Sequence, residues 1–198
     1  MIKAVIFDLN GVFIQGPKLS EVFQEKFGVP VEEFLPVLKE IMAKTRLPNA
    51  LGSFSYWQPY FEKWGVNLNR EQFFDLWFGS EKEVPELIAL ARQIKNKGLK
   101  LIIHSNNFAE RAAYYDKNFP FLKELFDKIY YSWQTGFVKP DPRSYENLLA
   151  DNGLEPAECL YFDDKQENID IAKSLGLNSF MFTGIDGLKE ILRQFGAI

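Results

Sequence analysis

Four short stretches of the chain carry side chains that could do chemistry: Asp8 with Asn10, Ser105-Asn106, Lys139, and Asp163-Asp164. Carboxylates bind hard cations, and one of them can attack an electrophile. A hydroxyl and an ammonium suit the oxygens of an anion such as phosphate. Each group also has a plain reading. Asp8 caps a turn, Ser105 and Asn106 cap a helix, Lys139 is solvated surface, and the paired aspartates open the next helix. What tells against four independent coincidences is where the groups fall along the chain.

Each follows an element that is readable from its pattern. Lys3 to Phe7 is apolar and partly β-branched, the mark of a strand buried on both faces, and it ends at Asp8, after which Gly11 lets the backbone turn. Pro85 opens a helix that closes at Lys95, Lys97 and Gly98. Leu99 to Ser105 then reads as a second strand, a helix runs from about 109 to 117, and Lys128 to Tyr131 is a third strand, with Lys139 in the loop beyond it. Pro142 starts a helix that reaches Gly153, and Cys159 to Phe162 is a fourth strand, ending at Asp163-Asp164. A helix to Gly176, a short strand over 179–182 and a last helix over 188–195 complete the pattern. Strands alternating with helices at this spacing predict an α/β fold with a doubly wound parallel sheet. Ligands of such sheets bind outside the carboxyl ends of the strands, which is where all four groups sit.

Residues 17–82 break the pattern. Leu19, Val22, Phe23 and Phe27 share one helical face; Phe34, Leu38, Ile41 and Met42 share a second, with Pro36 read near that helix's start; Phe54, Trp57, Phe61 and Trp64 share a third. Asn69 with Gln72 predicts a capping box ahead of Phe73, Phe74 and Trp77. This is a small all-helical insert, so residues 1–16 and 83–198 are expected to form the core. The aromatics of the insert read as packing, with Trp57, Tyr56 and Phe13 as candidates for lining a substrate pocket.

Composition narrows the rest. A net charge of -4 and 25% charged residues give no basic footprint for nucleic acid or an anionic membrane. One cysteine excludes an internal disulfide, no apolar run is long enough to span a bilayer, and no secretory signal is read, so cytoplasm is the expected compartment. Cys159 reads as core. His104, the only histidine, adjoins Ser105 but should point away from it, because side chains alternate along a strand.

The ordered motifs FDLNGV (7–12), HSNN (104–107), VKPDP (138–142) and FDDKQEN (162–168) resemble the haloacid dehalogenase-like superfamily of hydrolases over the whole chain. The insert resembles that family's helical cap. The last motif, with GSFSYW from Gly52, resembles the branch of small sugar-phosphate phosphatases and epoxide hydrolase phosphatase domains. The resemblance implies a Rossmann-like core and a Mg²⁺-dependent phosphatase-type hydrolase of a small phosphorylated metabolite. Asp8 would form an aspartyl-phosphate. Mg²⁺ would be held by the Asp8 carboxylate, the Asn10 backbone carbonyl and Asp164, with Asp163 helping through water. Ser105, the Asn106 amide and Lys139 would hold the phosphoryl group. Asn168 would orient Lys139 or cap the next helix.

Position 10 departs from the pattern. The family's phosphatases usually carry aspartate there, as the group that shuttles a proton, and an amide cannot do this. A slow phosphatase, other chemistry, a non-catalytic binder of a phosphorylated ligand and an engineered trapped variant all fit Asn10. A dehalogenase fits less well, because it would need no metal-binding acidic pair.

Overall fold

The computed structural model describes residues 1–198. The elements in chain order are β1 (Ala4–Phe7), β2 (Ile14–Gln15), α1 (Leu19–Phe27), α2 (Val31–Thr45), α3 (Ser53–Trp64), α4 (Arg70–Phe78), β3 (Lys82–Glu83) and α5 (Pro85–Asn96). They continue with β4 (Lys100–Ser105), α6 (Ala109–Asn118), α7 (Phe121–Leu125), β5 (Lys128–Tyr131), α8 (Ser132–Thr135) and α9 (Pro142–Asn152). After a single 3₁₀ turn come β6 (Cys159–Asp163), α10 (Gln166–Ser174), β7 (Asn178–Met181) and α11 (Ile185–Gln194).

Five strands form one parallel sheet in the order β5-β4-β1-β6-β7. The chain leaves β1 toward one edge, then returns to the other side of it. The reversal puts the ligand crevice of a doubly wound sheet at the carboxyl end of β1. The strands are apolar on both faces because both are covered. Val5, Phe7, Leu101, Ile103, Leu160 and Phe162 face one layer of helices, while Ala4, Ile6, Ile102, Cys159 and Tyr161 face the other.

The helical insert closes on its own aromatic cluster. Phe23, Phe34, Trp57, Phe61 and Phe73 are all buried, and Phe34 stacks on Trp57 at 5.3 Å between ring centroids. The predicted capping box is present: Gln72 N–H donates to Asn69 Oδ1, and Asn69 N–H to Gln72 Oε1, both at 2.9 Å. Several contacts tie the insert to the rest, two of them at its base. Phe108, just past the end of β4, packs on Trp77 at 5.2 Å. Ser53 N–H, at the start of α3, donates to Glu110 Oε1 of α6 at 2.6 Å.

The sequence reading needs four corrections. Residues 12–18, which the sequence suggests to be a short loop after the turn at Gly11, include β2, which pairs antiparallel with β3 where the chain leaves and re-enters the core. Strands of two residues are too short to show a period. Pro36 is the sixth residue of α2, which begins at Val31, and not near its start. Its ring therefore withholds an N–H from the Glu32 carbonyl in the exposed first turn. The sequence reading assigns no element to the short helices α7 and α8. Trp57 and Phe13 line no pocket: both are at most 1% exposed, Trp57 inside the insert and Phe13 against Phe7 and Phe126. No helix is long and apolar enough to cross a membrane.

His104 lies on the face of β4 opposite the site's chemistry, edge-on to Tyr145 at 4.8 Å. Burial, reinforced by the Lys139 charge, drives its pKa well below 6.5, so the imidazole is neutral in the fold. Below pH 6.5 the unfolded chain gains a proton there that the fold refuses, so stability falls as pH falls. Lowering pH from 7 to 5.5 should cost about 1 kcal/mol through this group alone. Urea denaturation of His104→Phe should lack that share of the pH dependence. Trp57→Ala should lower the unfolding free energy by about 3–5 kcal/mol in the same measurement.

Candidate active site

The site is built on one buried ammonium. Lys139 Nζ lies 3.1 Å from Asp8 Oδ1 and 2.6 Å from Asp163 Oδ2, and it donates to the His104 backbone carbonyl at 2.6 Å. Its side chain is 1% exposed. These contacts gather the ends of β1, β4 and β6 around the loop that follows α8. Burial opposes the lysine charge, but Asp8 and Asp163 outweigh it and raise its pKa.

Asn106 fixes that loop. Its Nδ2 donates to the Lys139 carbonyl and its Oδ1 accepts from the Lys139 amide, both at 2.8 Å. This role for the side chain was not visible in the sequence.

The three aspartates differ in what they have left to offer. Asp8 Oδ1 accepts from Leu9 N–H at 2.8 Å and faces Lys139, while Oδ2 has no protein donor. Burial, partly offset by Lys139, pushes the Asp8 pKa up to about 6. Asp163 is saturated. Lys139 and Tyr161 donate to its Oδ2, and the Lys165 amide and Asn168 Nδ2 donate to its Oδ1. Asp164 is exposed, and its carboxyl is pushed up by partial burial and then by neighbouring Asp163. One oxygen from each of Asp8, Asp163 and Asp164 lies within 4.8 Å of the others. Three hard oxygen donors beside one ammonium suit a cation of the Mg²⁺ type. Gly11 keeps this corner open. It has φ +87°, and a Cβ there would lie 2.6 Å from Asp164 Oδ2.

Asn168 neither touches Lys139 nor caps α10. It holds Asp163, and so acts on the lysine through that carboxylate. Ser105 is buried, and its Oγ has no hydrogen-bond partner. It stands behind the wall of the pocket instead of lining it.

That pocket, about 60 Å³, is lined by polar residues alone: Asp8, Asn10, Arg46, Asn106, Arg111, Lys139, Lys165 and Asn168. Arg46 comes from the end of α2 and Arg111 from α6. They share their wall, together with Asn10, with a larger cleft of about 480 Å³ that runs beneath α2. Trp77 is that cleft's one aromatic, and Tyr56 stays outside it.

Asn10 is oriented by a chain of partners. Arg111 pairs with Glu81. Tyr115 O–H donates to Glu81 Oε2 at 2.8 Å, so its oxygen accepts from Asn10 Nδ2 at 2.5 Å. The amide is thereby fixed with Oδ1 buried and free of any protein donor. Sequence reasoning missed Arg46, Glu81, Arg111 and Tyr115. The only signal any of them offered was Glu81, an acid at the return from the insert.

The model of the haloacid dehalogenase-like hydrolases matches residues 2–176. Bifunctional epoxide hydrolase 2 of Sus scrofa is 24% identical over 98% of this chain and 39% of its own length. D-ribitol-5-phosphate phosphatase of Bacteroides thetaiotaomicron is 26% identical over 96% of this chain and 97% of its own. The chain spans 17% and 39% of the length of two of the curated relatives it matches. A haloacid dehalogenase family enzyme of Bacteroides thetaiotaomicron, solved with magnesium and inorganic phosphate, superposes with a TM-score of 0.78 at 23% identity, covering 91% of this chain and 94% of that one. From the matched model and the shared fold, this chain belongs to the haloacid dehalogenase-like hydrolase family.

Proposed function

We propose that this chain is a Mg²⁺-dependent phosphatase of small phosphorylated metabolites, working through a covalent phosphate on Asp8. Residues 17–82 act as a cap over a core of 1–16 and 83–198. One observation carries the reading: Asp8, whose Oδ2 has no protein donor, lines a phosphoryl-sized polar pocket whose other charged residues, Arg46, Arg111, Lys139 and Lys165, are all cations. Family membership and the neighbour solved with magnesium and phosphate support it.

Asp8, Asp164 and the Asn10 backbone carbonyl would hold the Mg²⁺, with Asp163 adding charge behind them. Bound there, the ion supplies the positive charge that lets a carboxylate approach a phosphate dianion. At about 4 Å, two like charges otherwise repel by several kcal/mol at intermediate dielectric. Asp8 Oδ2 bonds to phosphorus while the ester P–O bond breaks and its electron pair leaves with the organic oxygen. Lys139 and the Asn106 backbone amide hold the phosphoryl oxygens; Ser105, which does not line the pocket, stands outside that set. Water then attacks phosphorus, the bond to Oδ2 breaks, and Asp8 and inorganic phosphate are released.

Asn10 supplies no proton in the first step and accepts none in the second. The chain therefore favours aryl and acyl phosphates, whose leaving groups need no proton, over alkyl phosphates. The same residue favours a second reading, binding of a phosphorylated ligand without turnover.

Phosphate release from an aryl and an alkyl ester, with and without Mg²⁺, separates the two. Asp8→Asn should lower turnover by about 10³-fold or more. Asn10→Asp should raise alkyl phosphate turnover by about 10²-fold or more, and aryl turnover by less. If neither the unaltered chain nor Asn10→Asp releases phosphate from any ester, the phosphatase reading fails.

A further inference from the structure

Arg46 differs from every other cation at the pocket. Arg111 is neutralised by Glu81, and Lys139 by Asp8 and Asp163. Lys165 is exposed, so water screens it. The Arg46 guanidinium has no carboxylate within ion-pair distance and donates no hydrogen bond to the protein, and its Nε is cut off from solvent. Burial first, and then the like charge of Arg111, work against its ionised form, and the more distant Asp8 carboxylate offsets them only in part. A half-buried guanidinium without an ion-pair partner is costly, and it is retained where a ligand supplies the missing charge.

Position says which part of a ligand that is. Leu38, Met42 and Arg46 are spaced i, i+4, i+8 along α2, and all three line the larger cleft. This stripe is apolar until it ends in the guanidinium, where the cleft meets the small pocket containing Asp8. The phosphoryl group already has Lys139 at the sheet edge. Arg46 stands on the side toward which the organic remainder of a substrate extends.

We propose that Arg46 binds a second anionic group, a carboxylate or a second phosphate, on the organic part of the substrate. The substrate is then a phosphate ester with anions at both ends of a short, partly apolar body. This rests on the phosphatase reading above and narrows it.

Calorimetric binding of non-hydrolysable phosphonates to the whole chain in Mg²⁺ tests the inference. Propylphosphonate carries the head group alone, 3-phosphonopropanoate adds a carboxylate, and propane-1,3-diphosphonate adds a second phosphonate. One or both of the two-ended probes should bind about 10- to 100-fold more tightly than propylphosphonate, and the better of them identifies the second group. Arg46→Gln should cost the two-ended probes about 10-fold or more beyond whatever it costs propylphosphonate, so that the margin disappears, while Arg46→Lys keeps part of it. The melting temperature of Arg46→Gln should hold or rise, since no protein partner is lost; a fall would assign Arg46 to structure. Equal weakening of all three probes would put Arg46 on the transferred phosphoryl group and overturn the inference. Tight propylphosphonate binding with no margin for the two-ended probes would overturn it alone. Absence of binding by any probe or by inorganic phosphate would overturn it together with the phosphatase reading.

Discussion

The Lys139 ammonium, shared by Asp8 and Asp163, is the constraint on which the rest of this structure depends. Three strand ends and one long loop meet at a single buried charge. Removing one partner of such a group leaves an uncompensated ion, typically at a cost of about 3–5 kcal/mol, so each element is held to its register by the others. Two carboxylates around one ammonium also leave a negative excess, which Asp164 increases. The arrangement that stabilises the sheet edge is therefore the one that prepares it for a divalent cation.

Around that point the layers divide their work. The apolar sheet faces hold β1, β4 and β6 rigid, so Asp8, Ser105 and Asp163 inherit fixed positions. The insert spends nearly all its aromatics on its own interior and offers the cleft mainly aliphatic side chains, Trp77 and Arg46. Phe108 carries the packing of the insert down to the end of β4, two residues from Asn106, so the insert and the small polar pocket share one support.

The core was legible because its signals are local. Continuous apolar strands, a proline or a cap at helix starts, and polar groups just after each strand can all be read within a dozen residues. Glu81, Arg111 and Tyr115 could not be read that way. Tyr115 reaches Asn10 from α6, about a hundred residues along the chain, and Glu81 joins it with Arg111 only when the insert closes on that helix, so apart from Glu81's place at the return from the insert nothing local marks them. Asn106 has a side-chain role the sequence does not show, and Asn168 holds Asp163 where the sequence suggests a contact with Lys139 or a helix cap, because an amide can serve as a cap or as a clamp and only the fold selects between them. Trp57 was misjudged for a different reason. Helical spacing gives the face on which a ring lies, but not whether that face meets a neighbouring helix or a cleft.

Residue 10 has one more property, and it concerns time. Asparagine followed by glycine loses ammonia when the glycine nitrogen closes on the side-chain carbonyl carbon to form a succinimide. In this fold the Gly11 N–H donates to the Ile14 carbonyl at 2.9 Å, and the Asn10 amide is tied to Tyr115. Both partners of the cyclisation are held, so the folded chain protects its amide. Chains that spend time unfolded do not, and on succinimide opening a fraction of them acquires an aspartate at the one position where a carboxylate changes the chemistry. The age and handling of a preparation thus become part of its catalytic identity.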